Sequence, residues 1–138
     1  MSMVIDASVA IKWFVVEDQS EQALELLEHD DRLLAPDFIV LEIANITWKK
    51  ARRGEIEAAH ALSIATAIRQ GPLTFHASTE LNDRALQIAL ELDHPIHDCL
   101  YLACAEYHQC PLITADRRLH ARVQNTNLAD LTRTLAAS

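Results

Sequence analysis

Short apolar runs alternate along this chain with longer stretches of helical periodicity, and that alternation constrains the fold more than any other feature. Met3 to Ile5 reads as a first strand, followed by a short helix around Val9 to Val15. Asp18 and Glu21 have the spacing of a capping box, ahead of a helix in which Ala23, Leu24 and Leu27 share a face. Leu33 to Ala35 is a second short strand, ended by Pro36. Asp37 is placed to cap a helix that runs to Arg53 and stops at Gly54. Ala58, Ala61, Leu62, Ala65 and Ile68 mark the next amphipathic helix, closed by Gly71-Pro72. Leu73 to Phe75 supplies a third strand, after which Leu81, Ala85, Ile88, Ala89 and Leu92 keep helical spacing. The run from Ile96 to His108 is alanine-rich and too long for a strand, so it reads as a buried helix. Leu112 to Ala115 is a fourth strand, followed by a short helix from Arg117 to Val123. A last strand around Leu128 to Thr132 would make the sheet five-stranded rather than four-stranded.

Strands interleaved with helices imply βαβ units. The expected fold is α/β: three layers, α/β/α, around a central, mostly parallel sheet of four to five strands. No linker, internal repeat or low-complexity stretch interrupts residues 1–138, which fit a single domain. Charges at Asp6, Lys12, Glu17 and beyond break every apolar run before it reaches the length of a membrane span. The N-terminus leads almost directly into Val4-Ile5-Asp6, so no signal peptide is expected. Cys99, Cys104 and Cys110 are odd in number and clustered late, unlike a disulfide framework, so a reducing cytoplasm is the simplest setting. Only Gly54 and Gly71 occur, which excludes a glycine-rich phosphate loop.

Four acidic residues stand where the local pattern is apolar. Asp6 ends Met3-Val4-Ile5, and Glu42 interrupts Ile39-Val40-Leu41 and Ile43-Ala44. Asp98 opens the run Cys99 to Ala105, and Asp116 ends Leu112-Ile113-Thr114-Ala115. Carboxylates beside such runs are costly to desolvate unless something compensates their charge. In open parallel sheets the ligand crevice lies beyond the carboxyl ends of the strands. Asp6 and Asp116 sit at two such ends, Asp98 in the first turn of its helix, and Glu42 one turn into another. The four are therefore expected to converge. Two carboxylates ~5 Å apart repel by roughly 3 kcal/mol at an effective dielectric near 20. An all-oxygen acidic set suits Mg²⁺ or Mn²⁺ rather than zinc, and such an ion neutralises charge on a phosphodiester under attack by water. Taken singly, each acid has a plainer reading. Asp6 and Asp116 fit helix N-caps, Asp98 a first-turn dipole residue, and Glu42 a solvated helix face.

The net charge of −8 opposes non-specific nucleic-acid binding, although discounting the four acids leaves −4. Positive charge is clustered in Lys49-Lys50-Ala51-Arg52-Arg53 and in Arg117-Arg118 with Arg122. These clusters fit either phosphate steering or solvated helix ends.

With these residues in place the chain resembles PIN-domain ribonucleases, and within them VapC-type toxins of toxin–antitoxin pairs. The resemblance rests on Val4-Ile5-Asp6-Ala7-Ser8, Leu41-Glu42-Ile43-Ala44-Asn45, His97-Asp98-Cys99-Leu100-Tyr101-Leu102-Ala103 and Leu112-Ile113-Thr114-Ala115-Asp116. It spans essentially the whole chain. It implies that Asp6, Glu42, Asp98 and Asp116 are the catalytic, metal-binding acids. Ser8 and Thr114 would support them at the strand ends, and Asn45 would orient a ligand. It further implies Mg²⁺- or Mn²⁺-dependent cleavage of RNA to a 5′-phosphate and a 3′-hydroxyl, a homodimer, and a small antitoxin that blocks the site. Many relatives carry a further acid shortly after the last aspartate, whereas Arg117 and Arg118 stand here, so one firmly bound ion is expected. Lys49, Arg52, Arg53, Arg117 and Arg118 would steer the RNA backbone.

Other constellations fit less well. His94-Pro95-Ile96-His97 with Cys104, His108 and Cys110 holds zinc-compatible side chains without zinc-ribbon or finger spacing, and reads as ordinary core and surface. A haloacid-type phosphatase needs a second acid two positions after Asp6, where Ser8 stands. Trp13 and Trp48 could stack RNA bases, but core or interface packing explains each more simply. The rival function from another class is a catalytically inactive module of the same fold that grips RNA or a protein partner.

Overall fold

The computed structural model describes residues 1–135. Five strands form one sheet: β1 (Ser2–Ile5), β2 (Arg32–Pro36), β3 (Thr74–His76), β4 (Leu112–Thr114) and β5 (Thr132–Thr134). Seven α-helices accompany them: α1 (Ala7–Ala10), α2 (Ser20–Glu25), α3 (Ile39–Arg52), α4 (Ala58–Gln70), α5 (Ser78–Leu92), α6 (Ile96–His108) and α7 (Arg117–Val123). Every pairing is parallel and the spatial order is β3-β2-β1-β4-β5. The chain thus walks outward from β1 to β3, crosses back, and continues from β4 to β5. Right-handed crossovers place the helices of the two walks on opposite faces. The reversal falls between β1 and β4, which pair Val4 with Leu112 and Ile5 with Ile113. That switch point is where an open α/β sheet leaves a crevice beyond its strand ends.

Helix α6 explains why its sequence is apolar all round. Cys99 through Ala105 are consecutively buried, because α6 packs on β1, β2 and β4 and is covered by α5. Arg84 of α5 pins Glu106 of α6 through two hydrogen bonds, Nε to Oε1 at 2.6 Å and Nη2 to Oε2 at 2.9 Å. Helix α3 ends as its sequence predicts, with Gly54 in the left-handed region at φ +77°. All three cysteines are buried and free. No helix among the described residues is long and apolar enough to cross a membrane.

Several local expectations are corrected. Asp18 and Glu21 form no capping box; α2 starts after Gln19, which holds a left-handed φ of 65°. The serine inside the helix takes over, Ser20 Oγ accepting from the Glu17 amide and donating to the Val15 carbonyl. On that helix Ala23 is buried while Leu24 and Leu27 are exposed, since only one narrow edge of so short a helix meets the core. Asp37 does not cap α3. Its Oδ1 accepts from the Ser78 amide at 3.0 Å while Ser78 Oγ accepts from the Phe38 amide at 2.9 Å, a reciprocal tie between the starts of α3 and α5. The buried edge of α4 is Ile64 and Ile68, an i, i+4 pair, and Leu62 is 71 % exposed. The first helix comes earlier than predicted, Ala7 to Ala10, and continues as a 3-10 turn over Ile11–Trp13. The last strand comes later, Thr132–Thr134, because residues 129–131 are taken by another 3-10 turn.

Candidate active site

The C-terminal ends of β1 and β4 each deliver an aspartate that also starts the following helix. Asp6 Oδ1 accepts from the Val9 amide at 3.2 Å and from Ser8 Oγ at 2.6 Å. Asp116 Oδ1 accepts from the amides of Arg118 at 2.9 Å and Leu119 at 3.2 Å. The plain N-cap reading of both residues is therefore true, and it fixes the direction of each carboxylate. The hydroxyls at the strand ends complete the frame. Ser8 Oγ accepts from the Ala115 amide at 2.9 Å, and Thr114 Oγ1 accepts from the Asp116 amide at 3.0 Å. The two hydroxyls lie 3.5 Å apart, so β1 and β4 are laced together immediately beneath the crevice.

Glu42 enters from α3 and Asp98 from α6. Together with Asp6, Asp116, Ser8, Tyr101, Ala7 and Ile46 they line one cavity of about 110 Å³. Four acids separated by up to 110 positions are thus brought together, and among the described residues no lysine or arginine lines the space with them. Electrostatics register the burial first and the neighbouring acids second. Burial pushes the Asp6 carboxyl up to about 7, opposed by hydrogen bonds from Ser8, Thr114 and Val9 and reinforced by the charge of Glu42. Burial likewise raises Glu42; the Tyr101 hydroxyl and His97 oppose the rise, and Asp98 adds to it. Tyr101, itself held well above the ordinary phenol range mainly by burial, donates its hydroxyl to Glu42 Oε1.

Three participants escape the sequence reading. Tyr101 stands three positions after Asp98, hence on the same face of α6, and is the donor that fixes Glu42. His94, four positions before Asp98, binds Asp98 Oδ2 through Nε2 at 2.6 Å. Because a carboxylate only accepts, Nε2 carries the proton. His97 stands at the cavity mouth near Glu42 and Asp98. The two histidines set aside as ordinary core and surface residues are therefore neighbours of the acids. The usable signal was their spacing relative to Asp98 rather than any zinc pattern.

Asn45 is not in the acid cavity. It lies in an adjoining depression with Glu42, His97, Phe38 and Leu41, whereas Tyr101 makes the hydrogen bond to Glu42. Lys49, Arg52 and Arg53 share a surface depression of about 360 Å³ with Trp48. Trp48 is 55 % exposed with the Arg52 guanidinium 5.4 Å over its ring. Trp13 instead packs against the core and donates Nε1 to the Ala23 carbonyl at 2.8 Å. Arg117 and Arg118 are exposed at the start of α7.

Comparison with known proteins agrees with this architecture. Residues 3–125 match the model of the PIN domain family. Ribonuclease VapC3 of Pyrobaculum aerophilum is 32% identical over 121 residues, covering 86% of this chain and 92% of that protein. Among solved structures, PAE2754 from Pyrobaculum aerophilum superposes with a TM-score of 0.68 at 22% identity, covering 99% of this chain and 85% of that one. A toxin-antitoxin complex from Klebsiella pneumoniae gives 0.60 at 15% identity, covering 96% and 97%. Strand order, the acid-lined switch point and these matches agree: the chain belongs to the PIN domain family.

Proposed function

We propose that this protein is a divalent-cation-dependent endoribonuclease that hydrolyses RNA phosphodiester bonds. The observation that carries the reading is the convergence of Asp6, Glu42, Asp98 and Asp116 on one small cavity at the sheet's switch point. The donor set fits a hard cation. All four side chains are oxygen ligands, the lining holds no lysine or arginine among the described residues, and burial raises the Asp6 carboxyl to about 7, a cost that a cation would offset. Such a cation, Mg²⁺ or Mn²⁺, supplies neutralisation of the charge that builds on the phosphodiester and a bound water of lowered pKa. Asp6, Glu42, Asp98 and Asp116 are the residues that would hold it. Tyr101 fixes one oxygen of Glu42, leaving the other to face the cation. Water adds at phosphorus, losing a proton to one of the site carboxylates, and the bond to the 3′ oxygen breaks; the departing oxygen takes a proton from solvent, giving a 5′-phosphate and a 3′-hydroxyl. Ser8 and Thr114 keep the strand-end carboxylates aimed. Lys49, Arg52 and Arg53 begin ~10 Å along α3 from Glu42, within reach of flanking phosphates, and Arg117 and Arg118 follow Asp116 at the exposed start of α7.

The relative named as a VapC ribonuclease and the neighbour solved as a toxin-antitoxin complex support a further part of the reading: a toxin held in check by a small antitoxin protein. A homodimer acting in the cytoplasm belongs to the same proposal. The test is cleavage of a pool of cellular RNAs with Mg²⁺ or Mn²⁺, in chelator, and by Asp6→Asn and Asp98→Asn, with the product ends identified. Full activity in chelator or in either variant defeats the reading. RNA binding without cleavage would favour the inactive module, to which the net charge of −8 and the arginines after Asp116 lend weight.

A further inference from the structure

One donor atom from each of Glu42, His97 and Asp98 lies within 4.8 Å of the others at the mouth of the acid cavity. His97 Nε2 is 3.9 Å from Asp98 Oδ1. That is too long for a hydrogen bond, but inside the ~4.2 Å that two donors on one ion can span at ~2.1 Å each. Among the described residues the His97 ring makes no hydrogen bond, and its side chain is 48 % exposed, so it is free to turn. His94 is the contrast. Its bond to Asp98 Oδ2 leaves Oδ1 as the oxygen on the His97 side. Glu42 belongs to both spaces, the inner cavity with Asp6 and Asp116 and the outer one with His97. The chain therefore has a nitrogen donor at the edge of its acid set, while the residues after Asp116 are arginines.

Resting on the nuclease reading above, we infer that His97 supplies an imidazole nitrogen to a cation held between Glu42 and Asp98, so that this corner prefers Mn²⁺ or Co²⁺ to Mg²⁺. Imidazole suits the later first-row ions, whereas Mg²⁺ is bound through carboxylates and retained waters. His94 acts through Asp98 and is a positioning residue.

The test uses the full chain, freed of metal, as wild type, His97→Gln and His94→Gln. Pulsed EPR of the Mn²⁺-loaded protein reads a directly bonded nitrogen, and calorimetry reads Co²⁺ and Mg²⁺ affinity. Nitrogen coupling is expected in wild type and in His94→Gln and absent from His97→Gln. Co²⁺ affinity should fall by about tenfold or more in His97→Gln, with Mg²⁺ affinity changing by less than about twofold. No coupling in wild type, coupling that persists in His97→Gln, or coupling lost only with His94 overturns the inference. Mg²⁺-dependent RNA cleavage by the same preparations separates the two readings. Cleavage without nitrogen coupling removes His97 and leaves the nuclease, and nitrogen coupling without cleavage does the reverse.

Discussion

Replacing Asp6 with Asn should make the cation-free protein more stable, and the size of the gain follows from the burial of the carboxyl. Asp6 is 6 % exposed, and its pKa is raised from 3.8 to about 7, chiefly by desolvation. The folded chain therefore binds a proton that the unfolded chain has released. This favours folding below pH 3.8 and is progressively lost as pH rises through about 7. A rise of about three units at ~1.4 kcal/mol each makes the lost stabilisation about 4 kcal/mol above neutrality. Asparagine keeps an oxygen to accept from Ser8 and Val9 but has no charge to desolvate. Thermal melts in chelator at pH 8 should place Asp6→Asn above wild type by roughly 10 °C, at ~3 °C per kcal/mol for a domain of this size. The gap should close near pH 4. Added Mg²⁺ should raise the wild-type midpoint at pH 8 and leave the variant almost unmoved. A wild type whose cation-free stability is flat between pH 4 and 8, or an Asn variant that melts lower at pH 8, would refute the account of Asp6 as an uncompensated buried charge.

Three other perturbations test separate parts of the site and core. His94→Gln should weaken Mn²⁺ binding by about 10–100-fold in calorimetry, because Asp98 Oδ2 loses the donor that orients it. Tyr101→Phe should cost about 1–3 kcal/mol in denaturant melts at neutral pH in chelator, since Glu42 Oε1 loses its hydroxyl donor. Removing that lowering influence pushes the Glu42 carboxyl still higher, so the deficit should shrink once the group is protonated in acid. Ile68→Ala should lower stability by about 2–5 kcal/mol and Leu62→Ala by less than about 0.5 kcal/mol. Equal losses would contradict the buried edge assigned to α4.

The sequence was most legible where a pattern was long or doubly constrained. The helix from Ile96 to His108 stands at its predicted bounds, because thirteen apolar-rich positions have no strand solution. The helix from Arg117 to Val123 does too, because Asp116 both ends a strand and caps the helix after it. The parallel sheet is implied by alternation alone, and the meeting of the four acids by their places at strand ends and first turns. The hidden part depends on tertiary neighbours. Nothing local says that Asp37 will be engaged by Ser78 before it can cap α3, or that Ile64 rather than Leu62 turns inward. Short elements drift for the same reason: the strand at Thr132–Thr134 lies several residues beyond its expected place. At the site, Tyr101 is hidden inside an apolar run whose burial is adequate reason for a tyrosine, and His94 and His97 lack a familiar ligand spacing. Their meaning comes from Asp98, a few positions along the same stretch, and from Glu42, which only folding brings beside them.

The double duty of Asp6 and Asp116 has a consequence for anyone disabling this protein. Each carboxylate anchors the first turn of the helix behind it, so, with the cation-holding role proposed for both, truncation to alanine would remove a ligand and loosen the scaffold in one stroke. An inert protein made that way could not report which loss mattered. Amide substitution preserves the anchor and deletes only the charge. By the same logic, a lineage that abandons catalysis has an easier path through asparagine than through any smaller side chain.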